Sequence, residues 1–198
     1  MRPPISYGPG LPDDGELRLC GDVAGKRVLE LGGRGGAALA FATRGAKAIV
    51  VEPDNDVLAD VRRGASELSA AGEEIRVECH HGEPADLGFA TSASIDLVFS
   101  AGILGEIDDL PRLLRQVNRV LKADAAFVFS MRHPFGAVVQ GTTVVGRYGD
   151  RARTISDLFM ALNRANFRVD VLAEPEPTND PSAVVPPSLV VRARKLGL

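Results

Sequence analysis

The stretch Val28-Leu29-Glu30-Leu31-Gly32-Gly33-Arg34-Gly35-Gly36-Ala37-Ala38 decides the fold. A short apolar strand, Lys26 to Leu31, runs into a glycine cluster. An alanine-rich helix follows from Ala37 to Arg44 and stops at Gly45. Glycines at a strand-to-helix turn let the backbone approach a ligand closely, and the helix start offers it free N–H groups.

The same alternation continues outward. Ala48 to Val51 reads as a second buried strand, ended by Glu52-Pro53, and Asp54 caps a helix that reaches Ala71 before Gly72. Further strands are read at Ile75–His80, Ser94–Ser100, Ala126–Ser130, Phe167–Leu172 and Leu189–Val191. A helix from about Asp109 to Lys122 places Leu110, Leu113, Leu114, Val117, Val120 and Leu121 on one stripe. Thr154, with Asp157 three residues on, starts another helix, whose stripe reads Ile155, Leu158, Phe159 and Leu162. Residues 132–153 read as a loop. Residues 1–25 read as an irregular arm, with a short helix around Glu16 to Gly21. Strands this short and apolar, without strict alternation, are buried on both faces, which points to a mainly parallel sheet between helical layers. Ligands on such sheets bind at the carboxyl ends of the strands, near the change in strand order.

Composition narrows the function. The chain has 198 residues, enough for one domain with a sizeable core. Twenty-three Lys and Arg against 26 Asp and Glu leave a formal charge of −3, without the basic signature of a nucleic-acid or membrane-surface binder. Aromatic residues are 5% and Trp is absent, which argues against a base-stacking platform. Cys20 and Cys79 make no disulfide framework and suit a reducing compartment. No signal or spanning segment is visible, so the protein is expected in the cytoplasm. Cys79-His80-His81 lacks a second ligand pair at metal spacing, so no metal is expected.

The chemistry gathers at strand ends. The turn suits either of two cofactors: a dinucleotide, since Gly33 to Ala38 matches G-x-G-x-x-A, or S-adenosylmethionine. Glu30, two residues before the first glycine, can hold the cationic end of an amino acid and is badly placed for a pyrophosphate. Glu52 can accept both ribose hydroxyls of an adenosine, which fits either cofactor. Glu83, after the third strand, can accept an adenine amino group.

On these residues, and on Ile95–Ser100 and Leu113–Lys122, the chain resembles class I S-adenosylmethionine-dependent methyltransferases of the small-molecule type. The resemblance spans about Lys26 to Lys195. It implies a Rossmann-like α/β three-layer sandwich, with a mainly parallel seven-stranded sheet whose last strand is antiparallel. Residues 26–198 would form the S-adenosylmethionine-binding domain, and the arm, with Tyr7-Gly8-Pro9-Gly10, a partial lid. The implied cofactor is S-adenosylmethionine, held by Glu30, Gly32, Gly33, Arg34, Gly36, Glu52, Pro53, Glu83 and Ser100. The implied reaction is in-line methyl transfer to a small molecule, with His133 and Glu106 as the candidates should the acceptor need a base. Ile103, Leu104, Met131, Phe135, Val138 and Tyr148 would shape an acceptor pocket that prefers an apolar molecule. A homodimer is left open. Two positions depart from the family pattern: Arg34 replaces the middle glycine, and Pro84 offers no N–H where the adenine ring usually receives one. They motivate an alternative, a methyltransferase-like partner or regulator with weakened cofactor binding. The G-x-G-x-x-A match keeps an NAD(P)-dependent oxidoreductase as a more remote one.

Overall fold

The computed structural model describes residues 2–33, 36–177 and 183–197. Five parallel strands form the body of the sheet: β1 (Arg27–Leu31), β2 (Lys47–Glu52), β3 (Arg76–His81), β4 (Ile95–Ala101) and β5 (Leu121–Arg132). A two-stranded ribbon, β6 (Val139–Gln140) and β7 (Thr143–Val144), stands apart. Then β8 (Phe167–Ala173) and β9 (Ser188–Lys195) complete a seven-stranded sheet of order β3-β2-β1-β4-β5-β9-β8. Strand β9 runs antiparallel to both neighbours, as the resemblance implied. The chain winds outward from β1 to β3, then returns to β4 on the other side of β1. That switch opens a crevice at the carboxyl ends of β1 and β4.

Both faces of the sheet are covered, so the alternating side chains of β1 feed two cores. Leu29 and Leu31 join the layer of α4 (Leu110–Val120) and α5 (Ile155–Arg164). Val28 joins the layer of α2 (Ala37–Ala42) and α3 (Asn55–Ala70). Helix α4 follows its apolar stripe, with Leu110, Leu113, Leu114, Val117 and Val120 all buried and Asp109 accepting from the Arg112 N–H as its cap. Thr154 and Asp157 form the reciprocal capping box of α5. Phe159 departs from the expected stripe and is 49% exposed. The buried line of α5 centres on Leu158 and Leu162, with Ile155 and Ala161 beside it, and Phe159 lies about 100° further round the helix. Residues 132–153 hold more than loop: a 3-10 turn at Pro134–Val138 precedes the β6–β7 ribbon.

Between β3 and β4 the layer is completed by irregular backbone. Leu87 and Ala90 plug the core, and the Arg119 guanidinium of α4 donates to both of their carbonyls, at 2.8 and 2.9 Å. Among the described residues no helix is long and apolar enough to cross a membrane.

Part of the N-terminal arm packs into the core. Ile5, Tyr7, Leu19 and Val23 are buried in the α2 layer, and the Tyr7 ring lies 5.5 Å from that of Phe99 on β4. Its one helical turn, α1 (Asp14–Leu17), comes slightly earlier than the sequence suggests. The Asp14 carboxylate accepts from the Tyr7 hydroxyl and from the N–H groups of Leu19 and Cys20. Burial pushes the Tyr7 phenol far up, so it remains a neutral donor to Asp14. The Ser130 hydroxyl of β5 donates to the Tyr7 carbonyl, tying the arm to the carboxyl end of the sheet. Tyr7→Ala should therefore destabilise the protein by about 3–5 kcal/mol. Tyr7→Phe, which leaves Asp14 its two backbone donors, should cost only about 1 kcal/mol. Urea unfolding monitored by circular dichroism measures both, and a Tyr7→Ala cost below that of Tyr7→Phe would contradict core packing of the arm.

Candidate active site

The glycine turn sits at the carboxyl end of the central strand. Gly32 has φ of +75° and Gly36 has φ of +64°, a backbone region that side-chain-bearing residues enter at a cost. The Gly32 N–H donates to the Val51 carbonyl at 2.9 Å, pinning the turn to β2. A Cβ at Gly33 would meet Val50 Cγ2 at 3.1 Å, and one at Gly32 would meet Ile103 Cγ2 at 3.1 Å. Arg34 lies outside the described residues.

Two buried carboxylates brace this turn. Glu30 is 1% exposed and points under the start of α2. Its Oε1 accepts from the Ala37 N–H at 3.2 Å and its Oε2 from the Ala38 N–H at 2.5 Å. Glu52 ends β2, also buried, and accepts from the Gly33 N–H at 2.7 Å and the Asp54 N–H at 3.1 Å. Each carboxylate offers about four lone-pair sites, so both keep acceptor capacity beyond these bonds. A cofactor with an ammonium group and ribose hydroxyls supplies the donors that such acceptors lack, so these residues fit S-adenosylmethionine. Ser100 is also buried, and its hydroxyl donates to the Leu31 carbonyl at 3.1 Å, supporting the turn. Pro53 and Glu83 are exposed at the ends of β2 and β3, while Pro84 is buried.

The candidate bases lie further along the same sheet end. His133, just past β5, is buried, with Nδ1 accepting from the Phe135 N–H at 3.2 Å. Its proton is therefore assigned to Nε2, which donates to Glu174 Oε1 at 2.9 Å. Both ring nitrogens are engaged, so His133 holds the start of the 134–138 turn in place. Glu106 is exposed and lines a cavity of about 410 Å³ between the carboxyl ends of β4 and β5. The expected apolar lining is only partly there. Met131 contributes, while Ile103, Leu104 and Val138 are buried in the core. Phe135 and Tyr148 pack edge to face at 5.8 Å, and the Tyr148 hydroxyl accepts from the Ile155 N–H, joining the 134–148 segment to α5. The cavity also carries Arg132, Arg151 and Arg153, three arginines scattered through a segment whose sequence reads as loop.

Residues 29–129, half of the chain, match the family model described as a methyltransferase domain, and the chain belongs to that family. No curated protein sequence matches it significantly. The fold is similar to that of an S-adenosylmethionine-dependent methyltransferase from Mesorhizobium loti, at 23% identity and a TM-score of 0.76, over 91% of this chain and 96% of that one. It is also similar to such an enzyme from Aquifex aeolicus, at 16% identity and a TM-score of 0.69, over 92% and 89% of the two chains. A geranyl diphosphate C-methyltransferase from Streptomyces coelicolor shares the fold at 13% identity and a TM-score of 0.71, over 91% of this chain and 76% of that one.

Burial pushes the Glu30 carboxyl up to about 7, against the lowering pull of the Ala38 and Ala37 N–H groups, with the nearby Glu52 charge adding to the rise. A raised pKa means that the folded protein keeps a proton which the unfolded chain releases. Stability from this group is full below its ordinary value of 4.5 and is lost as pH climbs through about 7. Glu30→Gln mimics the protonated form and does not titrate. From pH 4.5 to 7 the wild type should therefore lose on the order of 3 kcal/mol relative to Glu30→Gln. Urea unfolding of both proteins at the two pH values checks this, and parallel pH profiles would refute it.

Proposed function

We propose that this protein transfers the methyl group of S-adenosylmethionine to a small-molecule acceptor by in-line displacement. The observation that carries the reading is the pair of buried carboxylates, Glu30 and Glu52, closing on one glycine turn at the ends of adjacent parallel strands. The turn alone left a dinucleotide and S-adenosylmethionine both open, and membership of the methyltransferase family supports the second. Glu30 would hold the cofactor's ammonium end, Glu52 its ribose hydroxyls, and Gly32, Gly33 and Gly36 its close approach to the backbone. The cofactor supplies a methyl group already activated by its sulfonium, so the protein's task is to align the acceptor and exclude water. A base is needed only where the acceptor atom carries a proton. Glu106, exposed in the cavity beside β4, is then the carboxylate placed to take it, and His133 acts by positioning the cavity wall. That the Streptomyces coelicolor neighbour acts on geranyl diphosphate supports a small-molecule acceptor on this fold.

Isothermal titration calorimetry with S-adenosylmethionine and with S-adenosylhomocysteine tests the cofactor. Micromolar binding is expected, and Glu52→Gln should weaken it by about tenfold or more, the scale of one charge-assisted hydrogen bond. Absence of heat at millimolar ligand would overturn the reading.

A further inference from the structure

The cavity between β4 and β5 carries a charge imbalance that the methyl-transfer reading leaves unused. Its walls bring together Arg132, Arg151 and Arg153 with a single carboxylate, Glu106, in a protein whose net charge is −3. Among the described residues Arg132 and Arg151 have no carboxylate within ion-pair distance, and both are exposed. Arg153 is held by backbone: its guanidinium donates to the Ile107 and Asp108 carbonyls at 2.6 and 2.8 Å. Those bonds fix its position, and Asp157, the carboxylate that feels its charge, is committed to capping α5. Three guanidinium groups lining one cavity favour an anion there, and the planar fork of Arg matches carboxylate and phosphate oxygens two at a time.

Resting on the methyl-transfer reading, we propose that the acceptor is an organic anion whose carboxylate or phosphate is gripped by Arg132 and Arg151, with Arg153 fixed behind them. The placement agrees with that role. The Gly102–Glu106 wall adjoins the cofactor turn through Ile103, whose side chain packs on Gly32. The arginines of β5 and of the segment before α5 line the same cavity. An anion held there leaves the uncharged part of the acceptor toward Met131 and the turn. Charge, more than apolar surface, is then what selects the substrate.

The test is calorimetric titration of the full chain at constant ionic strength with inorganic pyrophosphate, with benzoate, and with benzyl alcohol as the uncharged control. Saturable binding of at least one anion, without binding of benzyl alcohol, is expected. Preference for pyrophosphate identifies a phosphate, and preference for benzoate a carboxylate. The double variant Arg132→Gln/Arg151→Gln should bind the preferred anion at least tenfold more weakly while its ligand-free melting temperature stays that of the wild type, as both side chains are exposed. Failure of the wild type to bind either anion saturably, or equal binding by wild type and double variant, overturns the proposal. S-adenosylhomocysteine binding by the wild type is measured separately. Its absence would count against the methyl-transfer reading, whereas an anion failure with that binding intact would count against the anionic acceptor alone.

Discussion

A carboxylate shut away from water holds the central turn of this protein in shape. Glu30 is buried beneath the start of α2, where two N–H groups of the helix's first turn have no partner within the helix. It serves as their cap from the preceding strand, a role usually taken by a side chain beside the helix start. The bond therefore joins three things at once: the central strand, the glycine turn and the first helix of the layer. Desolvation opposes the charged form of Glu30 and raises its pKa, and a cation placed beside it would favour the charged form.

Glu52 repeats the device from the next strand, through the Gly33 N–H. The two acids reach one turn because β1 and β2 are parallel neighbours in register, Glu30 opposite Val50 and Leu31 opposite Val51. On the other side Ser100 of β4 secures the Leu31 carbonyl. The switch in strand order thus places acceptors on one flank of the turn and the cavity of β4 and β5 on the other. The first flank suits a cationic, hydroxyl-rich cofactor. The second presents uncompensated guanidinium groups. The two sides of the crevice therefore differ in polarity.

The arm adds to the cover of the sheet, with Tyr7 against Phe99 and Asp14 satisfying the arm's own donors. Arg119 does the corresponding work on the opposite face by fastening the irregular 82–94 segment to α4. In both places hydrogen bonds to backbone replace regular secondary structure.

The sequence by itself determined what depends on neighbours three or four residues apart, or on a single residue's backbone freedom. The α4 stripe, the Thr154–Asp157 capping box, the Asp54 cap and the glycine turn are of this kind, and they make the alternating α/β class legible. The acids Glu30 and Glu52 were legible too, because strand ends are where such folds bind ligands. Their hydrogen-bond partners were not, since Gly33 and Glu52 are 19 residues apart. Tertiary structure alone decided that part of the arm is core, through a Ser130–Tyr7 bond spanning 123 positions, and that His133 spends its ring on Phe135 and on Glu174, 41 positions away. It alone gathered Arg132, Arg151 and Arg153 around one cavity. In the sequence these arginines carry no period and no motif. The turn and ribbon between them fold one segment back on the other, and charges brought together by folding leave no trace in local spacing.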